Sequence, residues 1–442
     1  MSNEIIVGLD IGTTKIACFI GQAVENEKIK ILGFGKSESI GVERGVVKNI
    51  IDTANSIKKA VEEASLKADY EVSEVYVGIA GQHIRSTQSK GSLILKPAQK
   101  IIDEKDIEEL ISNQYSTLLE PGEEIIHVLP QTFFVDGEEL SVNPVGVQGN
   151  CLEATFHIVT GKTINLSCIK ESVNLAGLKI KGVVLEPIAS AESVLDSRDK
   201  EAGVALVDIG GGTTDIAIFE NGIIRHTAVI PMAGNLITED IRIGCTILKP
   251  QAERLKIKYG ACLPEMVHKD DIISIPGIRN QAPREISMKM LATIINSRTQ
   301  MILELVADEI IASGHDKNLI AGVVLTGGGA KLKYIEDLTE YTTGIDTRVG
   351  LPNEHLITPE SVDEIIHPMY ATGIGLLLYG IKDMKSKTKS VEEKSNTPVI
   401  EEKQEVKEEK QEEQEIETPK RKGFADSLKD FFTVFFKEDE TE

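Results

Sequence analysis

A strand, a glycine turn and a second strand occur twice in this chain, and that repeat restricts the fold more than any other feature. Residues 204–219 read VALVDIGGGTTDIAIF. Apolar residues alternate up to Asp208, glycines and threonines follow, and alternation resumes at Ile216, Ile218 and Phe219, as in two buried strands joined by a tight turn. Residues 5–19, IIVGLDIGTTKIACF, align with this stretch once two glycines are removed from the later copy. Asp10 then matches Asp208, Gly12, Thr13 and Thr14 match the later turn, and Lys15 stands where the other copy has Asp215. Two copies of one unit predict two structurally equivalent halves.

Gly210, Gly211 and Gly212 leave no side chain over the turn, so backbone N–H groups can approach an anion, with the hydroxyls of Thr213 and Thr214 beside them. Asp208 ends the incoming strand where a carboxylate reaches a metal-bound water, and Asp215 stands on the far side. Magnesium keeps several waters and suits such acids. Lys15 gives the first loop a cation for phosphate. A glycine-rich hairpin that only turns the chain has the same local pattern.

Five motifs in order resemble the actin, hexokinase and Hsp70 superfamily, in which two such hairpins face each other across a nucleotide cleft. DIGTTK resembles its first phosphate loop, LEPIASAESVL (185–195) its first interdomain helix, and VDIGGGTTD its second phosphate loop. VVLTGGGAKL (323–332) resembles its adenosine loop, with Gly327, Gly328 and Gly329, and MYATGIGLLLYG (369–380) its second interdomain helix, where Gly373 and Gly375 permit close helix approach. The resemblance implies an α/β fold of actin-like, duplicated ribonuclease-H-like type, with ATP and Mg2+ between the halves. It gives Glu186 the role of orienting the attacking water, beside Asp208 and Asp215, and Asp10 and Asp208 a magnesium role through water. An exposed helix-start glutamate is the plainer reading of Glu186. Gly234 and Asn235 open a helix whose N-terminus suits ribose or phosphate. Glu253 and Lys256, one turn apart, resemble the pair bracketing ribose and adenine; a surface i,i+3 ion pair is the rival.

Between the motifs, residues 52–68 place Ala54, Ile57, Val61 and Ala64 on one helical face. Residues 82 to about 160 form an excursion with strands near 92–95, 128–135 and 154–159, and a helix over 103–119 begun by Asp103 and Asp106. A small domain inserted directly after VGIAGQHIRS resembles the FtsA family of cell-division actin homologues, whose 1C subdomain occupies this place. A second small subdomain carries a long helix over 286–311, with Ile294, Ile295, Met301, Ile302 and Leu305 inward and Lys289 and Arg298 outside. The family resemblance implies that this subdomain receives the C-terminal peptide of the tubulin homologue FtsZ, with Arg298 suited to its acidic part.

A net charge of -22 argues against nonspecific nucleic-acid binding. Five scattered cysteines without CxxC spacing read as thiols in a reducing compartment. The opening residues lack a basic n-region, and no stretch reaches the length of a spanning helix, so a cytoplasmic chain is expected.

The globular pattern is expected to stop near Met384, with 385–422 a disordered linker of Lys, Glu, Gln, Ser, Thr and Pro. Beyond it, Phe424, Leu428, Phe431, Phe432 and Phe435 form one helical stripe in residues 423–437. Five of the eleven phenylalanines lie in this segment, past a linker, so the apolar face must find a surface. A reversible interfacial membrane helix fits, with Lys420, Arg421 and Lys422 facing anionic lipid; docking on protein is the alternative.

The expected division is 1–81 with 161–202 as the first half, 82–160 as the inserted α+β subdomain, 203–237 with 307–384 as the second half, and 238–306 as the second small subdomain. What the resemblance implies is an ATP-binding protein that polymerises on the cytoplasmic side of the cell membrane at the division septum, anchors FtsZ filaments and recruits later divisome proteins, with at most slow ATPase activity. A pilus-assembly actin homologue and a sugar-kinase-like enzyme share the loops. An Hsp70-like chaperone would need a further folded domain.

Overall fold

The computed structural model describes residues 4–24, 28–140, 143–268, 270–277, 282–352, 356–357 and 364–395. The expected membrane helix, with Phe424, Leu428, Phe431, Phe432 and Phe435, lies outside the described residues, as does most of the expected linker.

Each half is built on a sheet of one plan. In the first, the strands Ile5–Ile11, Lys15–Ala23 and Ile29–Glu38 form an antiparallel meander. Glu74–Ile79 and then Lys179–Leu185 add to it in parallel on the side of the first strand. In the second, Val204–Ile209, Thr214–Glu220 and Ile223–Ile230 repeat the meander, and Val323–Thr326 and Thr347–Val349 repeat the parallel pair. Both sheets therefore run 3-2-1-4-5 in order of their own strands, which is the duplication expected from the repeated hairpin. The first sheet gains one short parallel strand, Leu356–Ile357, at its edge.

The central strands are apolar on both faces because helices cover both. The Ile50–Ala68 helix buries Ala54, Ile57, Val61 and Ala64 as its periodicity predicts, and Asn49 caps it by accepting from the N–H groups of Ile51 and Asp52. Two further helices cross between the halves. Glu186–Val194 follows the last strand of the first sheet yet packs Ala191 and Val194 against Val204, Leu206 and Ala217 of the second. Ala371–Ser395 lies on the first sheet, where Ile374, Leu377 and Ile381 meet Ile6, Phe19 and Tyr76. Each half thus covers the other's sheet. Their contact depends on Gly375, where a Cβ would stand 1.7 Å from the Ala189 carbonyl oxygen. This helix runs on to Ser395, past the expected break near Met384. Lysine and glutamate are good helix formers, and extending an anchored helix needs no new nucleus.

The excursion after the first half is a four-stranded sheet of Arg85–Ile94, Cys151–Lys162, Glu123–Val135 and Glu138–Leu140. Its helix is shorter than expected, Glu104–Gln114, opened by a reciprocal cap between Asp103 and Asp106. Where the second small subdomain is expected, the long helix spans Met288–Ala312, with Ile295 and Ile302 buried. Met301 is exposed rather than inward, and Leu303 and Val306 take the core positions. Cys18, Cys245 and Cys262 are buried, Cys151 and Cys168 partly so, and all five are free thiols. No helix among the described residues is long and apolar enough to cross a membrane.

Candidate functional site

The two hairpin turns meet tip to tip. A Cβ on Gly211 would lie 2.3 Å from Thr14 Cγ2, and one on Gly212 would lie 2.4 Å from Thr13 Oγ1, so the turns touch only because these positions are glycine. Around them opens a cleft of about 390 Å³, lined by Asp10, Gly12, Thr13, Thr14, Lys15, Gly210, Gly211, Gly212 and Thr213 on its phosphate-loop side. Glu186, Asp208 and Asp215 stand on its floor, and Gly234, Glu253, Lys256, Gly327, Gly328 and Gly329 line the rest.

The acids are unevenly neutralised. Lys15 Nζ sits 2.9 Å from Asp10 Oδ2, an ion pair within the first hairpin. Asp208 accepts from Ser190 Oγ at 2.8 Å and Thr372 Oγ1 at 3.4 Å, one hydroxyl from each crossing helix. Asp215 accepts from Thr213 Oγ1 at 2.8 Å, while its Oδ1 is buried with no partner. Burial raises the Asp208 pKa to about 6. Burial, then the Asp208 charge, raise that of Asp215. Glu186, deep in the crevice, is pushed well above the usual carboxylate range by burial and by Asp10, Asp215 and Asp208, with Lys15 opposing. Four carboxylates converge beside one lysine. An orphaned buried oxygen in such a cluster fits a hydrated divalent cation.

Two expected site residues lie apart from the cleft lining. The Thr214 hydroxyl donates to Met232 O at 2.8 Å and is fully buried, because it belongs to the returning strand rather than the turn. Asn235 gives its backbone N–H to Gly211 O at 2.8 Å, and the Gly234 N–H goes to Gly210 O at 3.1 Å. The helix start is thereby used to hold the glycine turn. Glu253 and Lys256 form more than a surface pair: Lys256 Nζ reaches Glu253 Oε2 at 2.9 Å, Gly234 O at 2.9 Å and Thr238 Oγ1 at 2.8 Å, with its side chain 12% exposed. Gly328 faces open space, whereas a Cβ on Gly327 or Gly329 would strike Asp208 or Ile209.

Sequence reasoning missed Ser190, Thr372 and the cleft residues Lys331, His367 and Met369. A small hydroxyl between small apolar neighbours, Ala189 and Ala191 in one helix and Ala371 and Gly373 in the other, was the available signal for the first two. Arg298 is outside the cleft, held by Asp240 through Nε at 2.6 Å and Nη2 at 3.2 Å.

Two sheets of one strand order, facing glycine turns and helices crossed between the halves define an actin-like protein of the nucleotide-binding ATPase class. Solved structures agree on the fold: the PilM–PilN type IV pilus biogenesis complex aligns with TM-score 0.62 at 15% identity, covering 86% of this chain and 99% of that one. MreB5 of Spiroplasma citri bound to ADP aligns with TM-score 0.50 at 14% identity, covering 88% and 98%. Family models match as "Cell division protein FtsA" over residues 205–375, "SHS2 domain inserted in FTSA" over 81–160 and "Hsp70 protein" over 165–228. The chain is 37% identical to Cell division protein FtsA of Pseudomonas aeruginosa over 86% of its own length and 90% of that protein's, and 36% identical to that of Neisseria meningitidis over 84% and 88%. It belongs to the FtsA family of actin-like cell-division proteins.

Proposed function

We propose that this chain binds ATP with magnesium between its halves, polymerises on the cytoplasmic face of the cell membrane at the division septum, and anchors FtsZ filaments there while recruiting later division proteins. The observation that carries the nucleotide part is the meeting of two side-chain-free turns above an acid cluster with an unpartnered Asp215 oxygen. Asp10 and Asp208 would hold magnesium through water, supplying positive charge for the terminal phosphates. A polyphosphate draws Lys15 from Asp10. Glu186 orients a water, Glu253 and Lys256 bracket the ribose, and Gly327 to Gly329 let the backbone pass close to the base. Turnover is at most slow and nucleotide chiefly governs assembly: among the described residues the cleft lining forms no pocket for a second phosphate acceptor.

The membrane part rests on the stripe of Phe424, Leu428, Phe431, Phe432 and Phe435. One short interfacial helix binds reversibly, and joined subunits bind far more firmly because each later helix inserts at high effective concentration. For the FtsZ peptide, an acidic side chain has to compete with Asp240 for Arg298, so Asp240 acts as a built-in rival.

Liposome flotation of the full chain against a version ending at Met384 tests the anchoring: the full chain should float with ATP and the shortened one should not. Equal flotation sinks the membrane reading. Arg298→Glu should weaken FtsZ-peptide affinity roughly tenfold, and unchanged affinity removes Arg298 from the contact.

A further inference from the structure

The strand Glu123–Val135 of the inserted subdomain carries two irregularities in its pairing with Cys151–Lys162. Val159 faces His127 and Thr160 faces Ile125, so Ile126 is an extra residue; Thr155 faces Thr132 and Phe156 faces Pro130, so Gln131 is another. Such bulges bend a strand and re-aim its side chains. From just after the first to the second, His127, Leu129 and Gln131 stand at period 2, and each meets a different part of the molecule. His127 Nε2 accepts the Leu185 N–H at 3.0 Å, at the open edge of the first sheet and one residue before Glu186. Leu129 packs into the cluster of Ala191, Val204 and Phe219. Gln131 Nε2 donates to Ile224 O and Arg225 O, each at 3.0 Å, on the edge strand of the second sheet.

One face of one inserted strand therefore crosses the seam between the halves. His127 is buried, its ring stands edge-on to Tyr379 of the second crossing helix at 6.4 Å, and its role as acceptor places its proton on Nδ1. A backbone N–H at the free edge of a sheet would otherwise be left without a partner.

We propose that His127 is a positioning residue for Glu186: by holding the last strand amide before Glu186, it transmits displacements of the inserted subdomain to the carboxylate on the cleft floor. This rests on the nucleotide reading above. A ligand seated on the inserted subdomain changes turnover through this tie without touching nucleotide.

The test uses the full chain. His127→Phe keeps a ring and removes the acceptor, while the amide oxygen of His127→Gln can still accept from Leu185. We expect His127→Phe to lower ATP turnover about tenfold with nucleotide affinity within about twofold of wild type, and His127→Gln to restore most of the rate. In a Glu186→Gln background, His127→Phe should cost nothing further, whereas a merely structural loss would persist there. Hydrogen exchange over residues 185–194 gives a readout independent of turnover: it should accelerate in His127→Phe and stay slow in His127→Gln. If His127→Phe does not fold, the smaller His127→Leu takes its place. Unchanged turnover and unchanged exchange overturn the proposal, as does a rate loss of equal size in the Glu186→Gln background. A wild type that fails to bind ATP overturns the nucleotide reading instead, and a wild type that binds without turnover leaves exchange to decide.

Discussion

The first and second hairpins share a backbone plan and differ in charge. In the first, the acid Asp10 has its own cation, Lys15, five residues on and 2.9 Å away. In the second, the position of Lys15 is taken by Asp215, and Asp208 is left to two hydroxyls from the crossing helices. The first hairpin pairs its acid with its own lysine, while the second places two carboxyls close together with no cation of its own, and the crowding raises the pKa of Asp215. The two copies share a frame and differ at one position, which carries a lysine in the first and an aspartate in the second.

The strongest way to break this comparison is to separate the two turns. Gly211→Ala puts a methyl 2.3 Å from Thr14 Cγ2 and should lower nucleotide affinity by about a hundredfold or more, read by titration with a fluorescent ATP analogue. Thr14→Ser removes that methyl partner and should recover part of the loss. A Gly211→Ala chain with wild-type affinity would mean the turns need not touch.

An effect on stability, opposite in sign for the two copies, is expected from removing the charges. Without nucleotide, Lys15→Met takes from the mostly buried Asp10 its cation, and should destabilise by about 2–4 kcal/mol in denaturant unfolding. Asp215→Asn removes one of the crowded carboxylates and should stabilise the empty protein by about 1 kcal/mol. It should also weaken the magnesium dependence of nucleotide binding. Shifts of the same sign in both variants would refute the assignment of unlike roles.

The remaining effect is on pH. Glu186, Asp208 and Asp215 have folded pKa values raised above their unfolded ones, so the fold binds more protons than the unfolded chain and loses stability as pH rises through the folded values, about 6 for Asp208. His83, His127 and His157 are lowered by burial to about 4, so their contribution is complete above their ordinary value of 6.5 and is lost as pH falls towards 4. The Tm of the nucleotide-free chain should therefore peak near the crossing of these windows, about pH 6 to 6.5. Asp215→Asn should lessen the fall in stability from the ordinary carboxylate range up to about pH 8.

Much of the cleft was legible in residue order because glycine is informative where the backbone must come close to something. Gly211, Gly212, Gly327, Gly329 and Gly375 each mark such an approach. The polar residues were read less well. Thr214 and Asn235 belong to the right motifs, yet one hydroxyl turns into the core and one amide is used by the neighbouring loop. Side-chain direction at a turn depends on which residue begins the strand, and a one-residue difference reverses it. Glu253 and Lys256 were visible as a pair, but Thr238 and the Gly234 carbonyl, which draw them into the cleft, come from another helix. Met301 looked apolar and inward, and lies outside because the helix face is turned by about one residue from the one its pattern suggested.

By itself the sequence determined the duplicated strand-turn-strand frame, the glycine contacts and the excess of acid over base in the later copy, because these depend on local period, on the absence of Cβ and on formal charge. Tertiary structure alone decided that Ser190 and Thr372 meet on Asp208, that each half's last helix covers the other's sheet, and that one inserted strand reaches both halves through His127 and Gln131. Those contacts join residues far apart along the chain, and which of many small hydroxyls or amides finds a given partner is settled only when the two sheets are packed together.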